Sequence, residues 1–334
     1  MKAASGFAAG PRPDKELAAT AVRRALAAAG LDRAERVLLL LSREFARQPA
    51  SAVQAAAGAA GCLQIGGCTA SGLMTEAGWL LDQPAAAALV LGDLPPDASD
   101  EAPRLSFSGR TTLPHDWQKA PPRLGLLEAK AATWNQARPG GPDGVDIALP
   151  GLACEVLRAD GLRLLSAPLP VDDGDGHDLR RVAGQTAAES LRRALPAALR
   201  AAPPLHQIAV IVADAMPAAG ILAAHADGSL TLAAPAGRTI AWALRQPLAA
   251  EEEIRRLLAA VGEPPPAFAL MFSCIGRGPL FYGGDDRDLL AFRHRFPGVP
   301  LLGAYGGGQI APAADGNRLF QNAALTLLYR NCHV

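Results

Sequence analysis

Two glycine-bracketed stretches lie far apart in the chain yet match residue by residue. They are Gly67-Cys-Thr-Ala-Ser-Gly72-Leu-Met and Gly303-Ala-Tyr-Gly-Gly-Gly308-Gln-Ile. At the same offset, "AAAALVL" (85–91) falls on "QNAALTL" (321–327), and upstream "VLLLLS" (37–42) answers to "ALMFS" (269–273). An ungapped echo with matched elements before it points to an ancient duplication. The expected fold is therefore α/β: two pseudo-symmetric halves with mixed β-sheets and helices packed outside. A pseudo-twofold pair brings two glycine turns to related places, and pockets often lie between such halves.

The local patterns fill in this frame. Asp14–Ala29 places Leu17, Val22 and Leu26 on one helical face, with Gly30 as its stop. Short continuous apolar runs at 36–42, 85–92 and 267–274 have the character of buried strands. Further helices are expected at 50–60, 178–199, 249–262 and 286–295, and strands at 62–68, 207–214, within 221–234 and at 324–330. Residues 93–123 form a long Pro-rich excursion with one strand near 105–108, and 137–144 a surface loop. The run 151–169 has a hairpin pattern around "ADG". The expected division is an N-terminal helical segment (1–35), a first domain (36–200) and a second (201–334).

Composition excludes several functions. Lys plus Arg equals Asp plus Glu at 32 each, so there is no charge excess of the kind a nucleic-acid binder carries. The five cysteines contain no CxxC pair, and the Cys62–Cys68 spacing fits no common zinc pattern, so reduced thiols in the cytoplasm are expected. The longest aliphatic run, Val37–Leu41, is far below the ~20 residues a bilayer requires, and the first residues lack a secretory pattern. No membrane association is expected.

The candidate chemistry narrows in the same way. Both GxxxxG turns lack the Lys and Ser/Thr of a triphosphate-binding loop, being followed by Leu73-Met74 and Gln309-Ile310. Gly276-Arg-Gly278 does not continue into a dinucleotide fingerprint, "GGDDR" (283–287) lacks the surroundings of a cyclase, and Ser71 sits outside any nucleophile elbow. The acidic run at 172–178 lacks the terminal Glu of a calcium loop. No metal site is expected. Cys274 follows a buried strand without a histidine near it in sequence, so it is expected to line a space rather than to react, and the chain is not expected to be an enzyme. Arg277, alone in a Gly-rich loop, leaves two readings open: a fork for a ligand carboxylate or phosphate, or an ion pair with Asp285 or Asp286.

"MFSCIGRG", "FPGVPLLGAYGGGQI" and "QNAALTLLY" resemble the C-terminal part of FIST-domain proteins, and "IGGCTASGLM" resembles the Gly-turn of the N-terminal FIST domain. The resemblance implies an intracellular small-ligand sensor, with an amino acid or similar metabolite as ligand, working through a histidine kinase or cyclase output partner. It also implies two side branches: haem-based nitric-oxide sensors, here with one of His115, His177, His206, His225, His294 or His333 as axial ligand, and F-box-linked members. The family's Gly-Glu-Ile turn is Gly308-Gln309-Ile310 in this chain, which removes a carboxylate. No output module is evident, so a separate partner, or a ligand-free scaffold role, is implied. The expected pocket has Arg277 for charge, Cys274 and Tyr305 for shape, and Gln309 and Asn322 for neutral hydrogen bonds. Its walls come from Gly278, Gly306 and Gly308, with Cys68, Thr69 and Ser71 from the first turn.

Overall fold

The computed structural model describes residues 1–95, 103–119, 121–212 and 215–331. Cys332, His333 and the end of the strand expected at 207–214 lie outside them. The chain divides into two compact units, Met1–Ala159 with Ile254–Val334, and Asp160–Glu253. Neither division falls at 35/36 or 200/201, because the N-terminal segment and both halves of the echo share one unit.

The first half runs β1 (Lys2–Ala9), α1 (Lys15–Ala29), β2 (Arg36–Ser42), α2 (Ala50–Ala60), β3 (Ile65–Ala70), β4 (Gly72–Thr75), β5 (Gly78–Leu81) and β6 (Ala85–Gly92). Strands pair in the order β1-β6-β2-β3, with β2 parallel to β3 and the other pairs antiparallel. The segment expected to be helical up to residue 35 thus opens with an edge strand. Its sequence, KAASGFAA, offers no β-branched residue to announce a strand. Gly6 is needed there: a Cβ would stand 2.1 Å from Ala21 O of α1.

The connecting region adds β7 (Arg104–Ser108), β8 (Arg123–Leu127), β9 (Thr133–Asn135), β10 (Arg138–Pro139) and β11 (Val145–Ile147), before β12 (Leu152–Ala159). Residues 160–253 then form β13 (Leu162–Leu164), β14 (Leu169–Asp175), β15 (Asp178–Val182), β16 (Gln185–Thr186), α3 (Ala187–Ala194), β17 (Ile208–Val212), β18 (Ala215–Ala224), β19 (Leu230–Leu232) and β20 (Thr239–Arg245). Because β20 pairs with both β14 and β17, the ring β14-β15-β19-β18-β17-β20 closes into an antiparallel barrel. Closure removes the exposed edges an open sheet would carry. Its core takes in Val210, Leu230 and Trp242 together with Leu191 of α3, and the Trp242 indole N–H donates to Ser190 Oγ at 3.0 Å.

Two expectations fail here. The helix expected over 178–199 shortens to α3, since Leu179 and Val182 are buried on strand β15 and a capping box at Thr186 and Glu189 starts the helix. The 151–169 hairpin does not form: β12 pairs with β25 and β13 with β20, so the "ADG" turn joins two different sheets.

The second half continues with α4 (Pro247–Ala259), β21 (Phe268–Cys274), α5 (Pro279–Tyr282), α6 (Arg287–Arg295), β22 (Leu301–Gly306), β23 (Gly308–Ala313), β24 (Gly316–Phe320) and β25 (Ala324–Asn331). The order β12-β25-β21-β22 repeats β1-β6-β2-β3 in sequence and direction. Matching glycines confirm the equivalence: a Cβ on Gly67 would meet Leu39 O at 1.8 Å, and one on Gly303 would meet Met271 O at 2.3 Å. The duplication is therefore real in space, with the barrel inserted between β12 and α4. One detail is corrected. Leu41 pairs with Thr69 and Ala86, while Ser273 pairs with Tyr305 and Ala324, so the last strand stands two residues out of the ungapped match. The hairpins between differ in length.

Alternation along the central strands builds three cores. Leu38 and Leu40 face Phe268, Leu270 and Phe272 in a core shared by both sheets. Val37, Leu39 and Leu41 face α1 and α2, and Ala269 and Met271 face α4 and α6. The larger unit is an α/β/β/α sandwich, which explains why its central strands are apolar on both faces. Gly67→Ala should lower stability by about 3 kcal/mol or more, since a backbone oxygen cannot yield without losing register. Gly58→Ala, in the last turn of α2 with open space around it, should instead raise stability by about 0.5–1 kcal/mol. Urea unfolding of the two variants checks both signs.

Candidate functional site

At Cys274 the chain leaves β21 through a 3₁₀ turn, Ile275–Arg277, and enters α5 with Pro279 at its first position. Gly283, at φ 85°, ends that helix in a conformation that favours glycine. The turn swings Arg277 inward, where it is only 1% exposed. Its Nε donates to Asp288 Oδ2 at 2.8 Å and its Nη2 to Asp288 Oδ1 at 3.1 Å, a two-pronged pair. The Tyr282 hydroxyl donates to the same carboxylate at 2.8 Å. Two residues earlier, Asp286 caps α6 by accepting from Leu289 N–H at 2.9 Å, and it also accepts from the Tyr305 hydroxyl.

Two buried carboxylates thus share one guanidinium and two phenols. Burial, and secondly the Asp288 carboxylate, push the Asp286 carboxyl up to about 6. Burial and the same acids hold the Tyr282 and Tyr305 phenols well above their ordinary range. The Tyr305 ring explains two glycines: a Cβ on Gly278 would lie 3.1 Å from it and one on Gly72 2.9 Å.

The residues singled out in the sequence do gather here, but mostly as framework. Of the two readings of Arg277, the ion pair is the one present, and its partner is Asp288 rather than Asp285 or Asp286. Gln309 is fully buried. Oriented by its neighbours, its amide N–H groups donate to Phe320 O (3.1 Å) and Ala323 O (3.0 Å), and its oxygen accepts from Cys274 N–H (2.9 Å). Its amide is thus committed to the chain itself. Cys274 is buried, and its N–H also reaches Ala323 O at 2.9 Å. Gly306 and Gly308 make room for Leu126 and Leu319. Asn322, at φ 56°, takes a left-handed turn position beside Gly276. Thr69 Oγ1 accepts from Ala132 N–H at 3.0 Å, and burial pushes the Cys68 thiol far up.

Ser71 leads to a residue the sequence reading missed. Its hydroxyl donates to Glu128 Oε1 at 2.6 Å while Gly307 N–H donates to Glu128 Oε2 at 2.7 Å. Ser71 and Gly307 are equivalent positions of the repeat, so one carboxylate clamps both glycine turns together. Asp288 was also missed, and Asp286, expected only as a partner for Arg277, is instead the cap of α6; the cue was an Asp three residues before a leucine at a helix start.

Above this network, the β4–β5 hairpin (Gly78 and Trp79, at the start of β5), Asp285 and Asp286 just before α6, and Leu289, Leu290 and Arg293 of α6 enclose a groove of about 250 Å³. Asp286 belongs to both floor and network. Trp79 is 36% exposed, whereas Trp117, Trp134 and Trp242 are buried.

A family model described as the FIST C domain matches residues 179–312, from β15 through the loop, α6 and β22 into β23. The chain carries a FIST C domain. This is a domain family associated with signal transduction and small-ligand sensing. The FIST match leaves 36–178 uncovered, where the resemblance placed a FIST N-terminal domain. The chain is 28% identical over 206 residues to an uncharacterized protein of Mycobacterium tuberculosis. To another, of Mycobacterium bovis, it is 26% identical over 203 residues. Each match covers 55% of this chain and 53% of the relative, so the chain spans about half the length of these curated relatives. It is also 42% identical to F-box only protein 22 of Homo sapiens over 64 residues, 18% of this chain and 15% of that protein.

Arg277→Met should cost about 3–5 kcal/mol, because Asp288 is left charged and buried, and Arg277→Lys should rescue little of it. The raised Asp286 carboxyl has a defined sign. The folded state holds this proton more tightly than the unfolded chain, so the contribution is complete below the ordinary Asp value of about 3.9 and is lost as pH rises through about 6. Asp286→Asn keeps an oxygen to cap α6 and should flatten the stability profile between pH 4 and 6, by up to about 1.4 kcal/mol per pH unit. Chemical denaturation across that range reads the slope.

Proposed function

We propose that this FIST C-domain chain is a cytoplasmic small-ligand sensor rather than an enzyme, and that it reports to a separate output protein. An N-terminal FIST domain over the first half belongs to the same reading. The observation that carries it is the groove between the β4–β5 turn and α6. An exposed indole and the Asp285 carboxylate form a setting for a ligand ammonium, and Arg293 offers a fork for a carboxylate. A volume of about 250 Å³ is smaller than drug-sized pockets of roughly 300–1,000 Å³, which favours an amino acid or a similar amine-bearing metabolite. This moves recognition of the ammonium away from the turn at Gln309, where the family's carboxylate is missing.

The ligand-free scaffold reading has one feature in its favour, Leu280 of α5, which is 82% exposed. The haem branch fits less well among the described residues. His177 is held by Leu232 O and His225 by Thr231 within the barrel, while His115 and His294 line open surface grooves.

A thermal-shift screen against amino acids and small amines tests the reading, with Trp79 emission as a second probe. At least one compound should raise Tm and perturb Trp79, and Trp79→Ala and Asp285→Asn should each weaken its binding tenfold or more. Arg277 variants are unsuitable, since they strike the framework. A stabiliser indifferent to both substitutions, or none at all, would overturn the assignment of the groove.

A further inference from the structure

Asp286 holds two positions at once. It caps α6, and it lies in the floor of the groove beside Trp79, between Asp285 and Leu289. Asp286 and Asp288 are both buried, so two carboxylates of one helical turn share their surroundings with a single guanidinium. Arg277 turns two prongs to Asp288. Asp286 receives the Leu289 N–H and the Tyr305 hydroxyl instead, which are neutral donors. Neutral donors offset a buried negative charge less than a cation does. Asp286 is therefore the member of the pair that takes up a proton, in keeping with its raised proton affinity.

The charged and titratable groups around it come from several elements. The 3₁₀ turn gives Arg277, α5 gives Tyr282, β22 gives Tyr305, and α6 gives Arg287, Asp288 and Arg293. Asp285 precedes it and lines the groove with Arg293, so the groove receives one charge of each sign and an arriving cation changes its balance. The β4–β5 hairpin brings only Gly78 and Trp79 there. The hairpin's own acid, Glu76, is engaged by the Ser5 hydroxyl and the Leu301 N–H.

We infer that the groove and the Asp286 carboxyl form one proton-linked unit: a cation settling beside Trp79 drives the proton off Asp286 into solvent, and acid, by restoring that proton, expels the cation. That the cation is a ligand ammonium rests on the ligand reading above; the coupling itself does not. Ionised Asp286 holds the Leu289 N–H and the Tyr305 hydroxyl by charge-assisted bonds and suits the positive end of α6. Occupancy thus tightens the start of the helix that bears Leu290 and Arg293, which gives the groove a way to report what it holds.

The test begins on the whole chain with no ligand added. Carboxyl-carbon NMR of aspartate-labelled protein follows Asp286, its signal identified by its loss in Asp286→Asn. Asp285→Lys plants a positive charge at the groove on an exposed residue ahead of α6. It should lower the Asp286 midpoint by at least about half a pH unit, and Arg293→Gln should raise it. A second arm uses n-butylammonium chloride, protonated throughout, with n-butanol as the uncharged control, in calorimetry with two buffers of different ionisation heat. At pH 6 the amine should release about half a proton per site, and it should bind about tenfold more weakly at pH 5 than at pH 7. Asp286→Asn should release none and bind alike at both. Trp79→Ala should weaken binding at both pH values and leave their ratio unchanged. An amine that does not bind, with the midpoint shifted by Asp285→Lys, overturns the ligand reading and upholds the coupling. The coupling is overturned, and the ligand reading kept, if the amine binds with no proton released. It is also overturned if Asp285→Lys leaves the midpoint unmoved, or if n-butanol releases the proton equally well.

Discussion

A guanidinium sealed from water is the constraint around which the second half is organised. Removing Arg277 and Asp288 from solvent costs several kcal/mol per ion, and only close, multiple hydrogen bonds offset that. The pair meets the condition with two parallel contacts and the Tyr282 hydroxyl on the remaining lone pairs. Since Arg277 leaves the end of β21 and Asp288 stands in the first turn of α6, the pair pins helix to strand. Everything beside it inherits that position. Asp286 can cap α6 and meet Tyr305 only because the helix begins there, and the groove beside Trp79 has a rigid floor for the same reason.

The network is one positive charge against two carboxylates, and this imbalance matters. Asp288 is compensated directly by Arg277. Asp286 has hydrogen bonds, but burial and the neighbouring Asp288 carboxylate outweigh them and raise its proton affinity. A buried carboxyl poised near 6 below a groove makes the floor sensitive to what lies above it. An ammonium placed there would favour the ionised form, as any opposite charge does.

Much of the fold was legible because the central strands announce themselves. Runs such as Val37–Leu41 and Phe268–Phe272 are apolar at consecutive positions, which only a strand covered on both faces requires, and the glycine turns carried the duplication. What was hidden depends on long-range pairing. β1 is written in Ala, Gly and Ser, and becomes a strand because β6 offers an edge and Gly6 lets α1 approach. The 151–169 segment has hairpin chemistry, yet β12 is claimed by β25, more than 160 residues on. At the site, the expected cluster was found but its roles were not. Asp285 and Asp286 looked like the natural partners of Arg277 by proximity, whereas Asp286 is consumed as a helix cap, leaving Asp288 to turn inward.

The repeat also shows how differently its two halves use one frame. The two sheets have the same order, the same parallel central pair and the same glycine against the neighbouring strand. At equivalent positions, however, Thr69 closes on the backbone of Ala132, while Tyr305 reaches across to a buried acid. The first half closes this position locally with a short hydroxyl and packs α1 on α2. In the second half a long phenol and three buried charges occupy the same frame, and α4 and α6 leave an open groove. Glu128 holds the two versions together at Ser71 and Gly307. Because the first copy keeps its strand ends apolar or closed on the backbone, the second can bury Arg277, Asp286 and Asp288 without the sandwich losing its core.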